Sequence, residues 1–477
     1  MLQTLFRLFR RKAKRIFDNI QNEHLKNNIL QAVPFWIGSF LTGVAAVMYA
    51  KLFEWGEELL HYILKWNEWA IFIVAPAGFV LSWWLVKKFA PYAKGSGIPQ
   101  VMAAVDLANP RDRFKLKYLL SYKILIVKVV SSIVLVIGGG AVGREGPTIQ
   151  IAGSIFRFVN QLLPKWYPKI SIKNMIMTGA AAGLSAAFNT PMGGIVFAVE
   201  ELAKIHLNYF KTALFTAVII AGLTAQWLAG SYLYLGYPLT AGVTLKVFLP
   251  VIAVSLICGI LSSYLSVVML RINKWKSRSL KTNSQNIIFL VVSALILATL
   301  AYFFSWEILG SGKGIMDRVL FTSDKSEAWY VPLFRMIGPA LSFTSGGAGG
   351  IFAPALSAGA SFGAFFSGIM ELKPNETNVV ILAGMVAFLT GITRAPFTSA
   401  ILVLEMTDRH SLIFYLMLAG MASSLVSMVN SRHSLYDSLK HTYLDELHQK
   451  TKRRKINLKD LGKKNDEGAS EASVKTE

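Results

Sequence analysis

Glu145 stands in the string GGGAVGREGPTIQIAG, just after a stretch from Val129 to Val142 that carries no charge. A carboxylate at mid-bilayer costs about 2.5–3.5 kcal/mol, so an acid at the edge of such a stretch is kept where it faces a pathway or a partner. The glycines and Pro147 break one helix before Glu145 and start another after it, which puts free backbone N–H groups beside the acid. Taken alone, the string is equally a surface loop with an Arg144–Glu145 ion pair.

Three further strings belong with it: GSGIP from Gly95 to Pro99, GGIFAP from Gly349 to Pro354, and SRHSLYDSL around Tyr436. GSGIP, GREGP and GGIFAP each place glycine and proline beside or inside otherwise spanning sequence, ending one helix and beginning another within a membrane. Each helix start supplies unpaired donors and roughly half a positive charge, so no Lys or Arg needs to enter a pore. Taking an ion out of water costs several kcal/mol. A helix N-terminus returns about 0.3–2 kcal/mol and each hydrogen bond to a charged group ~1.5–3 kcal/mol. Two or three helix ends with a few donors therefore hold an anion and still let it leave.

Other chemistries fail on the residues. GSGKG from Gly310 to Gly314 lacks a phosphate loop's first glycine, with Glu307 in its place, and its Ser or Thr, with Gly314 there. GSGIPQ has Gln100 where a dinucleotide fingerprint needs its third glycine. The seven histidines show no metal-ligand spacing, and a single cysteine, Cys258, excludes an intrachain disulfide. No metal or cofactor is expected.

The elements that must position these strings are membrane helices. The chain is 53% hydrophobic and 16% charged, with mean hydropathy +0.47, and apolar runs of spanning length recur from Ala32 to about Asn430. The basic excess gathers at the ends, FRLFRRKAKR and KTKRRKINLKDLGKK, which places both termini in the cytoplasm and requires an even number of crossings. Residues 1–28 read as a basic amphipathic segment on the anionic inner leaflet, and 447–477 as a disordered basic tail. No folded basic domain accompanies these ends, so nucleic acid is not an expected partner. Lys128, within the apolar segment before GREGP, either adds positive potential to the pathway or snorkels.

The chain also repeats. TGAAAGLSAAFNTPMGGIVFAVEE from Thr178 and AGMVAFLTGITRAPFTSAILVLEM from Ala383 align at an offset of 205, pairing Pro191 with Pro396 and Glu200 with Glu405. GREGP and GGIFAP align at an offset of 207. Two membrane halves, 29–238 and 239–446, therefore share one plan, and such duplication in membrane proteins commonly means inverted repeats with the site at their interface.

On GSGIP, GREGP and GGIFAP in this order, with a tyrosine near the last helix, the chain resembles the CLC family of chloride channels and chloride/proton antiporters from about Ala32 to Tyr443. The resemblance implies an all-helical polytopic membrane protein of two inverted repeats with broken and re-entrant helices, assembled as a homodimer with one pathway per subunit. It implies that the Ser96 hydroxyl, the Tyr436 phenol and the amides of Ile351 and Phe352 bind chloride, with Arg144, Gly146 and the Glu145 amide further out. Glu145 matches the gating glutamate and proton acceptor; Glu201 matches the internal proton acid of the antiporter branch. Glu200 also matches an acid of the family pattern and is a candidate to hold a water path, whereas Glu405 reads as structural. Ser96 argues for chloride over nitrate, and GREGP with Tyr436 argues against the fluoride branch. Only 47 residues follow Asn430, too few for the paired nucleotide-binding modules of some members. The expectation is chloride–proton exchange in a plasma membrane, with lipid around the fold; a passive chloride channel is the rival, and an enzyme is not expected.

Overall fold

The structure, a computed structural model, describes residues 23–164, 166–203, 211–230, 233–240 and 245–452. The basic N-terminal segment up to residue 22 and the tail beyond 452 lie outside the described residues. Within them the secondary structure is helical, apart from two isolated backbone bridges.

The first half comprises α1 (Glu23–Trp66), α2 (Ile71–Phe89), α3 (Ile98–Asp106), α4 (Tyr122–Ile137), α5 (Glu145–Leu162), α6 (Ile172–Phe188), α7 (Pro191–Phe197) and α8 (Lys211–Ala229). The second comprises α9 (Phe248–Ser279), α10 (Asn283–Phe303), α11 (Lys313–Phe321), α12 (Tyr330–Thr344), α13 (Phe352–Ile369), α14 (Pro374–Thr393), α15 (Pro396–Thr407) and α16 (Ile413–Asn430). A last helix, α17, runs over 435–452, so the segment expected to be tail from 447 begins as helix. Short helices recur in the same places: α3 and α11 have nine residues each, α5 and α13 eighteen each. The ends recur too, since α6 stops at Asn189 and α14 at Arg394, both at positive φ and both followed by a proline-started helix.

Nine described helices are long and apolar enough to cross a membrane. α5, α6, α13 and α14 are buried along most of their length, and they pack as α5 on α6 and α13 on α14. Small residues make that approach possible: a Cβ on Gly359 would lie 2.3 Å from the Gly384 carbonyl, and one on Gly384 would lie 2.4 Å from the Gly359 carbonyl. Several buried hydroxyls are satisfied inside their own helices, as when Ser154 donates to the Gln150 carbonyl and Ser361 to the Ser357 carbonyl.

The halves meet through backbone at the helix breaks. Gly143 and Gly350, equivalent at the offset of 207, exchange both N–H···O bonds (2.8 and 2.7 Å) as an antiparallel pair. Gly95 donates to the Gly347 carbonyl (2.7 Å) and accepts from Gly349 (3.0 Å). Unravelled backbone buried in a membrane protein must find such partners, and here each half supplies the other's.

Candidate anion pathway and proton acids

Four helix starts carry the candidate site residues. α3 begins after Gly97, whose φ of 108° lets the chain turn from the GSGIP loop into a helix without a Cβ penalty. α5 begins at Glu145 after Arg144, and α13 at Phe352 after Ile351; neither N-cap residue makes a side-chain cap bond, so first-turn amides are left for another acceptor. α17 places Tyr436 in its first turn, with the Ser434 hydroxyl accepting from Asp437 N–H (3.0 Å).

These starts converge. Ser96 and Tyr436 are buried neighbours whose hydroxyls face each other, and neither finds a partner of good hydrogen-bond geometry. Gly146 packs against Ser96 so closely that a Cβ there would sit 2.2 Å from the Ser96 Oγ. The Phe352 ring stacks nearly parallel to Tyr436 with centroids 6.2 Å apart. Two buried hydroxyls that can turn their O–H groups to one point, beside the first turns of two helices, are suited to an anion rather than to a cation.

Glu145 is buried, with its carboxylate over Gly143 and beside its own amide and that of Ala353 at the start of α13. It therefore sits at a helix N-terminus of the other half, where an anion is favoured. The surface-loop reading with an Arg144–Glu145 ion pair does not hold. Arg144 donates instead to Glu54 Oε1 (2.7 Å) and to the Ala50 carbonyl (3.0 Å).

Glu201 lies one turn beyond α7, where Ala198–Ala203 widens into a π-helical turn, a distortion that re-aims side chains. There it lines a cleft with Phe197, Phe352, Thr398, Ser399 and Tyr436. Tyr436 is within electrostatic reach of both Glu201 and Glu145. A train of rings runs from Tyr436 to Phe352, then to Phe188 (6.3 Å), then to Tyr234 (5.0 Å). The Tyr234 hydroxyl donates to Glu145 Oε1 at 3.4 Å.

Two hollows flank these residues. Outside Glu145 a narrow cleft is lined by Glu54, Arg144, Tyr234, Ser311 and Lys313. Beside Gly95 a cavity of about 660 Å³ is lined by Lys87, Lys94, Lys274, Lys276 and a single acid, Glu446. Lysines around such a mouth raise the local concentration of anions. Lys128 does not snorkel: it is buried and its Nζ donates to the carbonyls of Ala93 (2.9 Å) and Gly95 (2.7 Å), fastening the GSGIP loop.

Sequence reasoning missed Tyr234, the widened turn and the lysine-lined mouth; Lys94, next to GSGIP, was the one legible signal of the last. The GSGKG string is also explained. Gly312 turns at φ 83° against the buried guanidinium of Arg335, which donates to the carbonyls of Ile308 (2.9 Å) and Ser311 (3.0 Å), so this loop presents oxygens inward. A phosphate would meet the wrong end of those dipoles.

Comparison with known proteins agrees with this architecture. The family model described as voltage gated chloride channel matches residues 77–428. The H(+)/Cl(−) exchange transporter ClcA of Citrobacter koseri is 29% identical over 416 residues, covering 84% of this chain and 85% of that one. Among solved structures, a slow cyanobacterial Cl−/H+ antiporter aligns with a TM-score of 0.73 at 24% identity, over 87% of this chain and 98% of that one. A CLC-type fluoride/proton antiporter aligns at 0.71 and 18% identity over 87% and 98%, so the fold is common to different anions. The spanning helices, the paired helix breaks and the match over most of the length lead to one conclusion: this multi-pass membrane protein belongs to the voltage gated chloride channel family.

Proposed function

We propose that the protein exchanges chloride for protons across a membrane. One observation carries the reading: two buried acids on different helices approach the same buried phenol, Tyr436, Glu201 lining its cleft and Glu145 joined to it through Tyr234, Phe188 and Phe352. A passive pore needs donors for the anion; a second buried acid on the far side of the anion site serves protons. The chloride site comprises the hydroxyls of Ser96 and Tyr436, the amides of Ile351 and Phe352, and Gly146 at its wall. Glu145 is gate and proton acceptor: ionised, it occupies the helix start that chloride would take; protonated, it releases that start. Glu201 receives protons from the cytoplasm. The name of the Citrobacter koseri relative supports both substrates.

The halves 29–238 and 239–446 act as inverted repeats around this site, a reading supported by the Gly143–Gly350 exchange between equivalent residues. A homodimer with one pathway per subunit is the assembly that the family resemblance implies. The site of action is the plasma membrane, with both termini cytoplasmic and lipid around the rest. The test is simultaneous recording of chloride and proton flux in liposomes. A chloride gradient that drives protons uphill supports exchange; chloride flux with no proton movement overturns it in favour of a passive channel.

A further inference from the structure

α7 and α15 share a problem. Each starts with proline, Pro191 and Pro396, and neither has a cap bond from its own N-cap residue, Thr190 or Ala395. The next amides in each first turn need acceptors from elsewhere. They find them crosswise. Glu405, on α15, accepts from Met192 N–H (3.0 Å) and Gly193 N–H (2.8 Å) at the start of α7. Glu200, beyond the end of α7, accepts from Phe397 N–H (3.2 Å), Thr398 N–H (2.7 Å) and the Thr398 hydroxyl (2.6 Å) at the start of α15. Donors and acceptors correspond at the repeat offset: Met192 with Phe397, Gly193 with Thr398, Glu200 with Glu405.

We infer that Glu200 and Glu405 are a reciprocal pair of positioning residues that lock α7 to α15 and so aim Glu201 at the Tyr436 cleft. This deepens the exchange reading and rests on it. The physics favours an anchor over a relay. An ionised carboxylate only accepts, and charge-assisted bonds at a helix N-terminus are the strong kind. Glu200 has both oxygens engaged by the first turn of α15, one by Phe397 N–H and the other by the Thr398 N–H and hydroxyl. Its neighbour Glu201 shares the widened turn Ala198–Ala203, and a π turn lacks the tight i to i−4 register that fixes direction in an α-helix. Fixing Glu200 to α15 supplies that direction. Glu405 acts at the other end of α7, away from the residues that line the Glu201 cleft. Any effect of Glu405 on proton transport must therefore travel through the packing of α7 on α15.

The experiment compares the parent with Glu405→Ala, Glu405→Gln, Glu200→Ala and Glu200→Gln, each recovered folded from detergent and placed in liposomes. Proton and chloride fluxes are recorded together. In parallel, hydrogen exchange is read at the amides of residues 192–193 and 397–398. Both alanine variants should lower the proton-to-chloride ratio while chloride flux persists. Each should also speed exchange at the amides it uncaps, by roughly tenfold or more. Glu200→Gln keeps a side-chain oxygen for Thr398 N–H and should retain most of the ratio. Parent-like coupling and parent-like exchange in Glu405→Ala overturn the inference, as does a Glu200→Gln protein as uncoupled as Glu200→Ala, which marks a proton relay. If the parent itself moves no protons, exchange as a function falls and this role falls with it; coupled parent and coupled Glu405→Ala sink the role alone.

Discussion

Adding one methyl group at Gly146 tests whether Ser96 lines the anion site. A Cβ there would stand 2.2 Å from the Ser96 Oγ and 3.0 Å from the Ser96 carbonyl, against an ordinary contact of 3.4 Å or more. The hydroxyl must retreat by about 1.2 Å in an interior that is already close-packed. That displacement removes one hydrogen bond to a charged ligand, ~1.5–3 kcal/mol, which is about 10- to 150-fold in chloride Kd. Overpacking costs a further ~1–3 kcal/mol of stability. Two controls separate these effects. Gly153→Ala, on the same helix, adds a Cβ that meets nothing closer than 3.5 Å and should leave chloride affinity unchanged. Gly146→Ala combined with Ser96→Gly removes the 2.2 Å clash and leaves only the 3.0 Å approach to the residue 96 carbonyl, so most of the stability should return while affinity stays low. Calorimetric titration of chloride into the detergent-solubilised protein, with thermal unfolding alongside, reads both quantities. A folded Gly146→Ala protein that binds chloride within about threefold of the parent refutes the reasoning, because a contact of this closeness cannot spare the Ser96 donor.

Further outcomes follow from the same geometry. Glu145→Gln should mimic the protonated gate, abolishing proton coupling and leaving chloride flux nearly independent of pH; uphill proton pumping by this variant contradicts the gate assignment. Glu201→Gln should eliminate proton transport while chloride binding and flux persist, and proton flux equal to the parent places the entrance elsewhere. Ser96→Pro removes a donor yet keeps a residue compatible with a helix start, so competitive flux should shift from chloride toward nitrate with coupling retained; an unchanged preference removes Ser96 from the site. Tyr234→Phe deletes a long, weak bond to Glu145, ~0.5–1.5 kcal/mol at most, and should raise chloride turnover by about 2- to 10-fold; slower turnover means that Tyr234 does not restrain the gate.

Much of this protein was legible in its sequence because the signals were local. Apolar runs give membrane helices, a glycine beside a proline gives a helix break, and equal offsets between Pro191 and Pro396 or Glu200 and Glu405 give a duplication. GSGIP, GREGP, GGIFAP and Tyr436 could be chosen as site elements for the same reason, since a helix start is encoded by its immediate neighbours.

What joins those elements was not written locally. The sequence left Arg144 free to pair with adjacent Glu145, yet packing of α1 brings Glu54 within 2.7 Å and frees Glu145 for the start of α13. Lys128 had two readings; burial against the Ala93 and Gly95 carbonyls rules out the snorkelling one. Glu200 read as a candidate for a water path, and its carboxylate is taken up by α15, 197 and 198 positions along the chain. Each of these choices turns on which buried donor meets which acceptor. A sequence fixes the supply of such groups and the places where helices stop, but burial without a partner is so costly that the pairing is settled by whatever the packed halves bring within reach.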